Sequence, residues 1–126
     1  MWQSRLPSIS TSNMRTIIAG SRSYINERIV FDAAYNLPWL ITEVVSGTCH
    51  GPDQYGISWA ITNEVPIKRF PANWPKFGRG AGYNRNIEMA NYAEALLAIW
   101  DGVSRGTGHM IDTARKLGMP TKVVLI

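Results

Sequence analysis

Three glycine-rich segments are the parts of this 126-residue chain whose residue types could do chemistry. They are residues 20–22 (GSR, the first turn), 47–53 (GTCHGPD, the second turn) and 101–108 (DGVSRGTG, the third turn). Each follows a short apolar run and precedes a helical pattern. Backbone amides at such strand-to-helix turns point into open space, and the helix dipole adds partial positive charge there. If the turns share one sheet edge, we expect a cradle for an anionic, nucleotide-like ligand.

Side chains in and beside these turns could complete that cradle. The planar guanidinium of arginine suits phosphate oxygens, and hydroxyl groups can donate hydrogen bonds to phosphate or ribose. The predicted ligand-binding residues are Gly20, Ser21, Arg22, Ser46, Gly47, Gly51, Asp53, Trp74, Arg85, Asn86, Asp101, Ser104, Arg105, Gly106 and Thr107. Arg79 falls in a loop predicted at the same edge. Scattered, solvated arginines are the alternative interpretation.

Several of these residues also have an ordinary structural interpretation. A glycine after a strand can be only a tight turn. Thr107 could be the N-cap of its helix, and Asp53 could serve only to complement a helix dipole. Asp101 ends the most apolar run, so we expect it to accept a hydrogen bond from a ribose or a base. Trp74 or Tyr83 is expected to cover the base.

Apolar runs and helical periodicities alternate along the chain and predict the fold. Strands predicted over 16–19, 41–45, 66–70, 95–100 and 123–126 alternate with helices over 27–37, 53–63, 84–93 and 107–117. Asn26 is the expected N-cap of the first helix, and residues 71–83 are expected to be a long irregular segment. The predicted inward faces hold Ile57, Ala60 and Ile61, then Ile87, Ala90 and Ala93, then Met110, Ile111, Ala114 and Leu117.

This order predicts an α/β fold, a Rossmann-like five-stranded parallel sheet with helices on both faces in three α/β/α layers. All three turns then lie at the carboxyl ends of strands, where ligands bind in such sheets. Residues 1–13 are predicted to be a disordered leader or an added extension, and residues 14–126 to be the nucleotide-binding domain.

Composition narrows the class of protein. Apolar residues make up 45% of the chain and charged residues 17%, as in ordinary soluble domains. No apolar run approaches the roughly 20 residues of a membrane helix, so no membrane partner is expected. One cysteine fits a reducing cytoplasm. Two histidines and one cysteine are too few for a zinc site, and we expect neither metal nor cofactor.

The formal net charge is +4, and basic residues cluster in one interval. Between Val65 and Ile87 no acidic residue occurs, whereas Lys68, Arg69, Lys76, Arg79 and Arg85 alternate with Phe70, Trp74, Phe77 and Tyr83. Such a mixture is typical of a surface for phosphates and stacked bases. The alternative is a solvated loop whose aromatic rings pack into the core.

Several motifs, taken in order, resemble one family. The segment IAGSR at 18–22 is followed by VSGxxxGxD at 45–53, PAxW at 71–74, GAGxxRNxxM at 80–89 and WDGxSxGT at 100–107. Together they resemble the YspA-like (cpYpsA-related) branch of the SLOG superfamily, Rossmann-like domains related to the LOG and DprA proteins. The resemblance covers about residues 14–126.

The resemblance implies a domain that binds a nucleotide or a nucleotide derivative, commonly as a homo-oligomer. LOG enzymes cleave the glycosidic bond of nucleoside monophosphates with an arginine and a glutamate. Arg85 corresponds to that arginine, but Met110 stands where the glutamate is expected. Because methionine cannot handle a proton, LOG-type hydrolysis is not expected unless Asp53, Glu88 or Asp101 substitutes.

These features favour a binding module that senses or sequesters a phosphorylated, ribose-containing ligand, such as an ADP-ribose derivative or another signalling nucleotide. One alternative is a nucleotide N-glycosidase with Arg85 and Asp101 as its catalytic residues. Another is single-stranded nucleic-acid binding, as in DprA relatives, through Lys68, Lys76 and Arg79. Bacterial signalling or defence, and a phage that counters it, both fit such a module.

Overall fold

The computed structural model describes residues 12–22 and 26–126. Most of the leader predicted over residues 1–13 therefore lies outside the described residues. Its last two positions belong to the folded sheet, because the Leu40 amide donates to the Ser12 carbonyl at 2.9 Å and the first strand begins at Asn13. No helix in the described ranges is both long enough and apolar enough to cross a bilayer.

Five strands and five helices follow one another along the described chain, with a 3-10 turn at Gly78–Gly80. The strands are β1 (Asn13–Gly20), β2 (Leu40–Ser46), β3 (Ile67–Arg69), β4 (Ala95–Trp100) and β5 (Thr121–Leu125). The helices are α1 (Glu27–Tyr35), α2 (Pro52–Thr62), α3 (Trp74–Phe77), α4 (Ala81–Tyr92) and α5 (Arg105–Lys116). As predicted, Asn26 caps α1, accepting from the Arg28 amide through its side chain.

The strands form one parallel sheet in the order β3-β2-β1-β4-β5. Helices α1 and α2 pack together on one face, and α4 and α5 pack together on the other. The predicted three-layer Rossmann-like fold is thus confirmed. The strand order reverses between β1 and β4, so the connections that leave these two neighbours diverge. A crevice opens at such a switch point in parallel α/β sheets.

Each central strand supplies both hydrophobic cores because successive side chains point to opposite faces. Ile17 and Leu96 pack with Met110 under α4 and α5, whereas Ile18 and Leu97 pack under α1 and α2. All five side chains are almost completely buried. Unbroken apolar runs are what this arrangement requires, since a strand covered on both faces has no solvated side.

Three predicted inward positions are wrong. The exposed fraction is 47% for Ile87, 65% for Ile61 and 55% for Leu117. In α4 the buried stripe passes through Arg85, Asn86, Met89 and Ala90, which turns Ile87 outward. In α2 it passes through Ile57 and Ala60, which leaves Ile61 outside, and Leu117 follows the last turn of α5.

The segment predicted to be irregular, residues 71–83, is mostly folded. Asn73 caps α3 by accepting a hydrogen bond from the Lys76 amide at 3.1 Å, and the 3-10 turn joins α3 to α4. Helix α4 then begins at Ala81, whose side chain is buried, three residues before the predicted start at Asn84. The glycines at 80 and 82 hid this start, because glycine is a poor helix former.

Candidate functional site

A cavity of about 510 Å³ lies at the carboxyl ends of β1 and β4, where the strand order reverses. We call it the main cavity. Its lining comes from β1 and the first turn, from the second turn, from α3 and α4, and from the third turn with the start of α5. The lining residues are Ala19, Gly20, Ser21, Arg22, Cys49, Asp53, Trp74, Arg79, Gly82, Tyr83, Arg85, Asn86, Met89, Ser104, Arg105, Gly106, Thr107 and Met110.

The first turn is fixed to the end of β4. The Ser21 amide donates to the Ile99 carbonyl at 3.0 Å, and the buried Ser21 hydroxyl accepts from the Asp101 amide at 3.1 Å. A Cβ atom at Gly20 would lie 2.4 Å from the Ile99 oxygen and 2.6 Å from Pro52 Cγ. Only glycine allows β1, β4 and α2 to meet this closely. Arg22 follows, exposed at the rim of the cavity.

The second turn is built around a buried arginine from α4. Arg85 is 8% exposed, and its Nη1 donates to the Gly47 carbonyl at 2.7 Å while its Nε donates to Asn86 Oδ1 at 3.1 Å. A Cβ atom at Gly47 would lie 2.7 Å from Arg85 Nη1 and 3.0 Å from Asp53 Oδ2. The absence of a side chain at Gly47 therefore lets a guanidinium and a carboxyl group approach from opposite faces of the sheet.

Asp53 is a buried carboxyl group in the cavity wall, and it lies in the first turn of α2, where the notion of a dipole partner also places it. It is 5% exposed, and its Oδ2 accepts from the Cys49 amide at 3.2 Å. Burial raises the pKa of Asp53 from 3.8 to about 6, against the hydrogen bond from Cys49 and the positive charge of Arg85. The carboxyl group can therefore exchange a proton close to neutral pH.

Three predicted ligand-binding residues of this region do not line the main cavity: Ser46, Gly47 and Gly51. The buried Ser46 hydroxyl donates to the Asp53 carbonyl at 3.2 Å and accepts from the Thr48 amide at 3.1 Å, so it closes the turn on itself. Gly51 is the N-cap of α2. Cys49, which is not among the predicted ligand-binding residues, lines the cavity instead, with its sulfur 3.8 Å from Arg85 Nη2.

Asp101 organises the third turn and is not among the residues that line the main cavity, so its contact with a ribose or a base stays a prediction. Its Oδ1 accepts from the amides of Val103 at 2.9 Å and Ser104 at 2.7 Å, and its Oδ2 accepts from the Ser104 hydroxyl at 2.7 Å. These hydrogen bonds lower the pKa of Asp101 to about 2, and the Ser104 hydroxyl makes the largest contribution. An Asp-Gly sequence after a strand is a signal for such a turn.

The amino terminus of α5 opens onto the main cavity. Ser104 is its N-cap and makes no side-chain capping bond, because its hydroxyl is held by Asp101. Thr107 is therefore the third helical residue and not the N-cap. The first-turn amides, at Arg105, Gly106 and Thr107, have no carbonyl partner within a helix, and a Cβ atom at Gly106 would meet open space. The partial positive charge of the helix is accessible here.

Four arginines line the main cavity, as the sequence analysis predicted for one edge of the sheet. Arg85 is buried and hydrogen-bonded, whereas Arg22, Arg79 and Arg105 are exposed. Across residues 12–22 and 26–126 the ion pair found is Arg15 with Glu94, at 3.6 Å. None of the three exposed guanidinium groups forms an ion pair with a carboxylate of the described residues, although the positive charge of Arg22 helps to lower the pKa of Asp53. Asp53 is the one acidic residue in the described lining.

Two aromatic rings stand at the mouth of the cavity. Trp74 and Tyr83 are both exposed, and Tyr83 stacks on His109 with 4.4 Å between ring centroids. Asn86 Nδ2 lies 3.1 Å from His109 Nδ1 and donates to the Gly106 carbonyl at 3.1 Å, which ties α4 to the start of α5. Burial lowers the pKa of His109. No local pattern predicts this pairing, since residues 83 and 109 are distant along the chain.

The basic side chains between Val65 and Ile87 lie in two different environments. Arg79 and Arg85 line the main cavity. Lys68 Nζ instead lies 5.7 Å from the centroid of the Phe70 ring and 5.8 Å from that of Tyr92, and Phe70 packs against the hydrophobic core. The interval therefore contributes to the cavity through α3, the 3-10 turn and α4, while Lys68 at its β3 end lies beside the rings of Phe70 and Tyr92.

The floor of the main cavity includes Met89 and Met110, both buried. Met110 lies one helical turn after the open end of α5, at the position where the resemblance leads one to expect a glutamate. The carboxyl group that lines the cavity is that of Asp53, which belongs to α2 and not to α5. The cavity therefore combines anion-binding groups with an apolar floor and a single titratable acid.

Comparison with known proteins gives a phage relative. No family model matches the sequence, and no solved structure matches it. The chain is 34% identical over 116 residues to the Gene 61 protein of Mycobacterium phage D29, an alignment that covers 84% of this chain and 92% of the phage protein. With this identity over nearly the full length of both, the chain belongs to the family of that Gene 61 protein.

Proposed function

We propose that this protein binds a nucleotide or a nucleotide-derived small ligand in the main cavity. The observation that carries the proposal is the surplus of unpaired positive charge at a sheet switch point. Three exposed arginines that form no ion pair among the described residues line the same cavity as the open amino terminus of α5. Phosphate oxygens suit both groups, because guanidinium forks and first-turn amides are hydrogen-bond donors with positive charge.

The other walls fit the remaining parts of a nucleotide. Trp74 and Tyr83 offer exposed ring faces on which a base can stack. The methionine floor is apolar, and the Asp53 carboxyl group can accept hydrogen bonds from ribose hydroxyls. A cavity of about 510 Å³ is within the usual range for small-molecule sites. Resemblance to the YspA-like branch of the SLOG superfamily supports the same proposal.

Calorimetric titration with nucleoside mono- and diphosphates tests the proposal. We expect binding to the native protein, and an affinity that is about tenfold or more weaker in Arg105→Ala, since a hydrogen bond to a charged group contributes about 1.5–3 kcal/mol. Lys116→Ala is the matched control, because it removes one exposed positive charge from the far end of the same helix. No binding at millimolar ligand, or equal losses in both variants, contradicts the proposal.

A second candidate function is hydrolysis of a nucleotide N-glycosidic bond, which the buried Asp53 beside Arg85 favours. A carboxyl group with a pKa of about 6 can act as an acid or a base near neutral pH. In the hydrolysis water adds to the sugar carbon, the bond to the base breaks, and the base leaves with a proton. Release of free base from nucleoside monophosphates, lost in Asp53→Asn, supports turnover. Intact nucleotide after prolonged incubation limits the function to binding.

The relative encoded by a phage bears on the biological setting that we propose. We propose that a phage uses a protein with such a cavity to sequester a signalling nucleotide. Sequestration needs tight binding without turnover. Mass spectrometry of small molecules released from the purified, denatured protein identifies what it sequesters. Homo-oligomer formation, which the resemblance implies, stays a prediction that light scattering with and without ligand tests.

A further inference from the structure

The lining of the main cavity carries more positive charge than one phosphate group neutralises. Four guanidinium groups line it, and Asp53 is the one carboxyl group among the described lining residues. At neutral pH, above the Asp53 pKa of about 6, three positive charges therefore remain. A phosphate monoester carries at most about two negative charges. The charge of the site calls for a more highly charged anion.

These positive charges act on one another because the cavity is small. A space of about 510 Å³ is about 10 Å across, close to the Debye length at about 0.1 M salt, so salt screens the guanidinium groups only in part. Burial raises the pKa of Asp53, and the positive charges of Arg85 and Arg22 both act against that rise. A bound anion relieves the mutual repulsion of the cations, and an anion of matching charge relieves it most fully.

The exposed guanidinium groups belong to separate walls of the cavity. Arg22 follows β1 in the first turn, Arg105 begins α5, and Arg79 lies in the 3-10 turn between α3 and α4. Each planar fork can contact two oxygen atoms of an anion. A single phosphate monoester offers three terminal oxygens, which is half of what three forks can contact. A second phosphate supplies further oxygens for the same three groups.

The first and third turns place two of these arginines at the ends of neighbouring strands. β1 and β4 are adjacent in the sheet, and the Ser21 amide donates to the Ile99 carbonyl at 3.0 Å. Arg22 and Arg105 therefore extend from turns that are fixed side by side. Phosphates joined directly to each other fit this arrangement better than phosphates on opposite sides of a ribose.

We infer that the ligand is a nucleoside polyphosphate, in which two or more linked phosphates end in a free terminal phosphate. The phosphates lie among the guanidinium groups of the main cavity, and the nucleoside extends toward the rings of Trp74 and Tyr83. This inference rests on the proposed nucleotide binding. It goes beyond that proposal by favouring highly charged nucleotides over nucleoside monophosphates and over diphosphates that lack a terminal phosphate.

Calorimetric comparison of AMP with ADP, and of GMP with GDP, tests the inference at one fixed ionic strength with a chelator of divalent cations present. We expect the diphosphate of at least one pair to bind about tenfold more tightly, a gain that one further charge-assisted hydrogen bond can provide. Equal or weaker binding of both diphosphates overturns the inference and leaves nucleotide binding intact. Failure of all four probes to bind at about 1 mM overturns nucleotide binding itself.

Two further probes, with the base of the pair that binds more tightly, separate charge from linkage. A nucleoside diphosphate sugar keeps both phosphates but lacks the terminal charge, and a nucleoside 3′,5′-bisphosphate keeps the charge but separates the phosphates. We expect each to bind about tenfold more weakly than the nucleoside diphosphate. A diphosphate sugar or a bisphosphate that binds as tightly as the nucleoside diphosphate overturns the inference.

Variants of the lining locate the gain. Arg22→Ala and Arg79→Ala each remove one exposed guanidinium group, from different walls. In both, we expect the ratio of the monophosphate Kd to the diphosphate Kd to fall from about ten toward about one. Lys116→Ala is the matched control, because it removes an exposed charge outside the lining and should keep the ratio of the native protein. A ratio unchanged in both arginine variants overturns the inference.

Discussion

The second and third turns follow β2 and β4, the two strands that flank β1, yet they use their polar groups in different ways. In the second turn the charged groups are buried and partnered: Arg85 holds the Gly47 carbonyl, and Asp53 accepts from the Cys49 amide. In the third turn Asp101 closes the loop, and the arginine and the first-turn amides of α5 remain open. Similar glycine patterns thus make one internal brace and one open surface of partial positive charge.

A glycine-rich turn can bind a ligand only where its hydrogen-bond donors lack protein partners. The second turn reaches the main cavity through Cys49 and Asp53, while its glycines serve the approach of Arg85 and the start of α2. The third turn reaches it through Ser104, Arg105, Gly106 and Thr107. Stability should therefore depend on the second turn, and ligand affinity on the third.

Removal of the arginine that serves each turn, Arg85 of α4 for the second turn and Arg105 for the third, gives the largest difference in stability. Arg85→Ala leaves the Gly47 carbonyl without its donor and Asp53 without its neighbouring cation, so we expect the free energy of unfolding to fall by about 3 kcal/mol. Arg105→Ala changes it by less than about 0.5 kcal/mol, because its side chain is exposed. Chemical denaturation measures both. Equal effects on stability would remove the distinction between the two turns.

How far the sequence could predict these turns depends on whether the contacts are local. Buried strands such as Ala95–Trp100 were predictable, because an apolar run between turn residues needs no partner to be recognised. The closing role of Asp101 was missed although its hydrogen bonds span only three residues, since the Asp-Gly signal was interpreted as a ligand site.

The burial of Asp53 could not be predicted from the sequence. Asp53 lies close to Arg85, which is 32 positions away along the chain and reaches the second turn from another helix. The stacking of Tyr83 on His109 is non-local in the same way. The wrong inward position of Ile87 has a different cause: the stripe of α4 next to the cavity is occupied by polar side chains, Arg85 and Asn86, so apolar periodicity does not mark the buried face.

The acids of the two turns should respond to pH with opposite signs. The pKa of Asp53 rises from 3.8 to about 6 on folding, so its burial weakens the fold as pH increases from about 4 to 7. We expect the stability advantage of Asp53→Asn over the native protein to grow by about 3 kcal/mol across that window, because each pKa unit corresponds to about 1.4 kcal/mol. Denaturant midpoints at several pH values measure the difference.

Asp101 supplies the internal comparison. Its pKa is lowered to about 2, so its ionised form stabilises the fold above pH 3.8 and that contribution is lost as pH falls toward 2. Asp101→Asn should therefore be less stable than the native protein at neutral pH, with a difference that shrinks in acid. If the stability difference between Asp53→Asn and the native protein changes with pH in the same direction as that for Asp101→Asn, then burial does not disfavour the ionised form of Asp53.

Glycine-to-alanine changes give the smallest effects and the closest match in chemistry, one methyl group in each turn. At Gly47 the new Cβ would lie 2.7 Å from Arg85 Nη1, so we expect a loss of about 1–3 kcal/mol in the free energy of unfolding as the buried guanidinium is displaced. At Gly106 the Cβ meets open space inside a helix, where alanine adds up to about 1 kcal/mol. Denaturant unfolding and nucleotide titration of both variants are the measurements.

Stability and affinity should then move in opposite directions at Gly106. The methyl group stiffens the first turn of α5 but occupies space beside the open amides, so Gly106→Ala should unfold at higher denaturant and bind nucleotide more weakly. Gly47→Ala should unfold at lower denaturant. A Gly106→Ala protein that gains stability and retains full affinity would show that phosphate does not contact the α5 amides, and the arginines would then have to hold the anion without the helix.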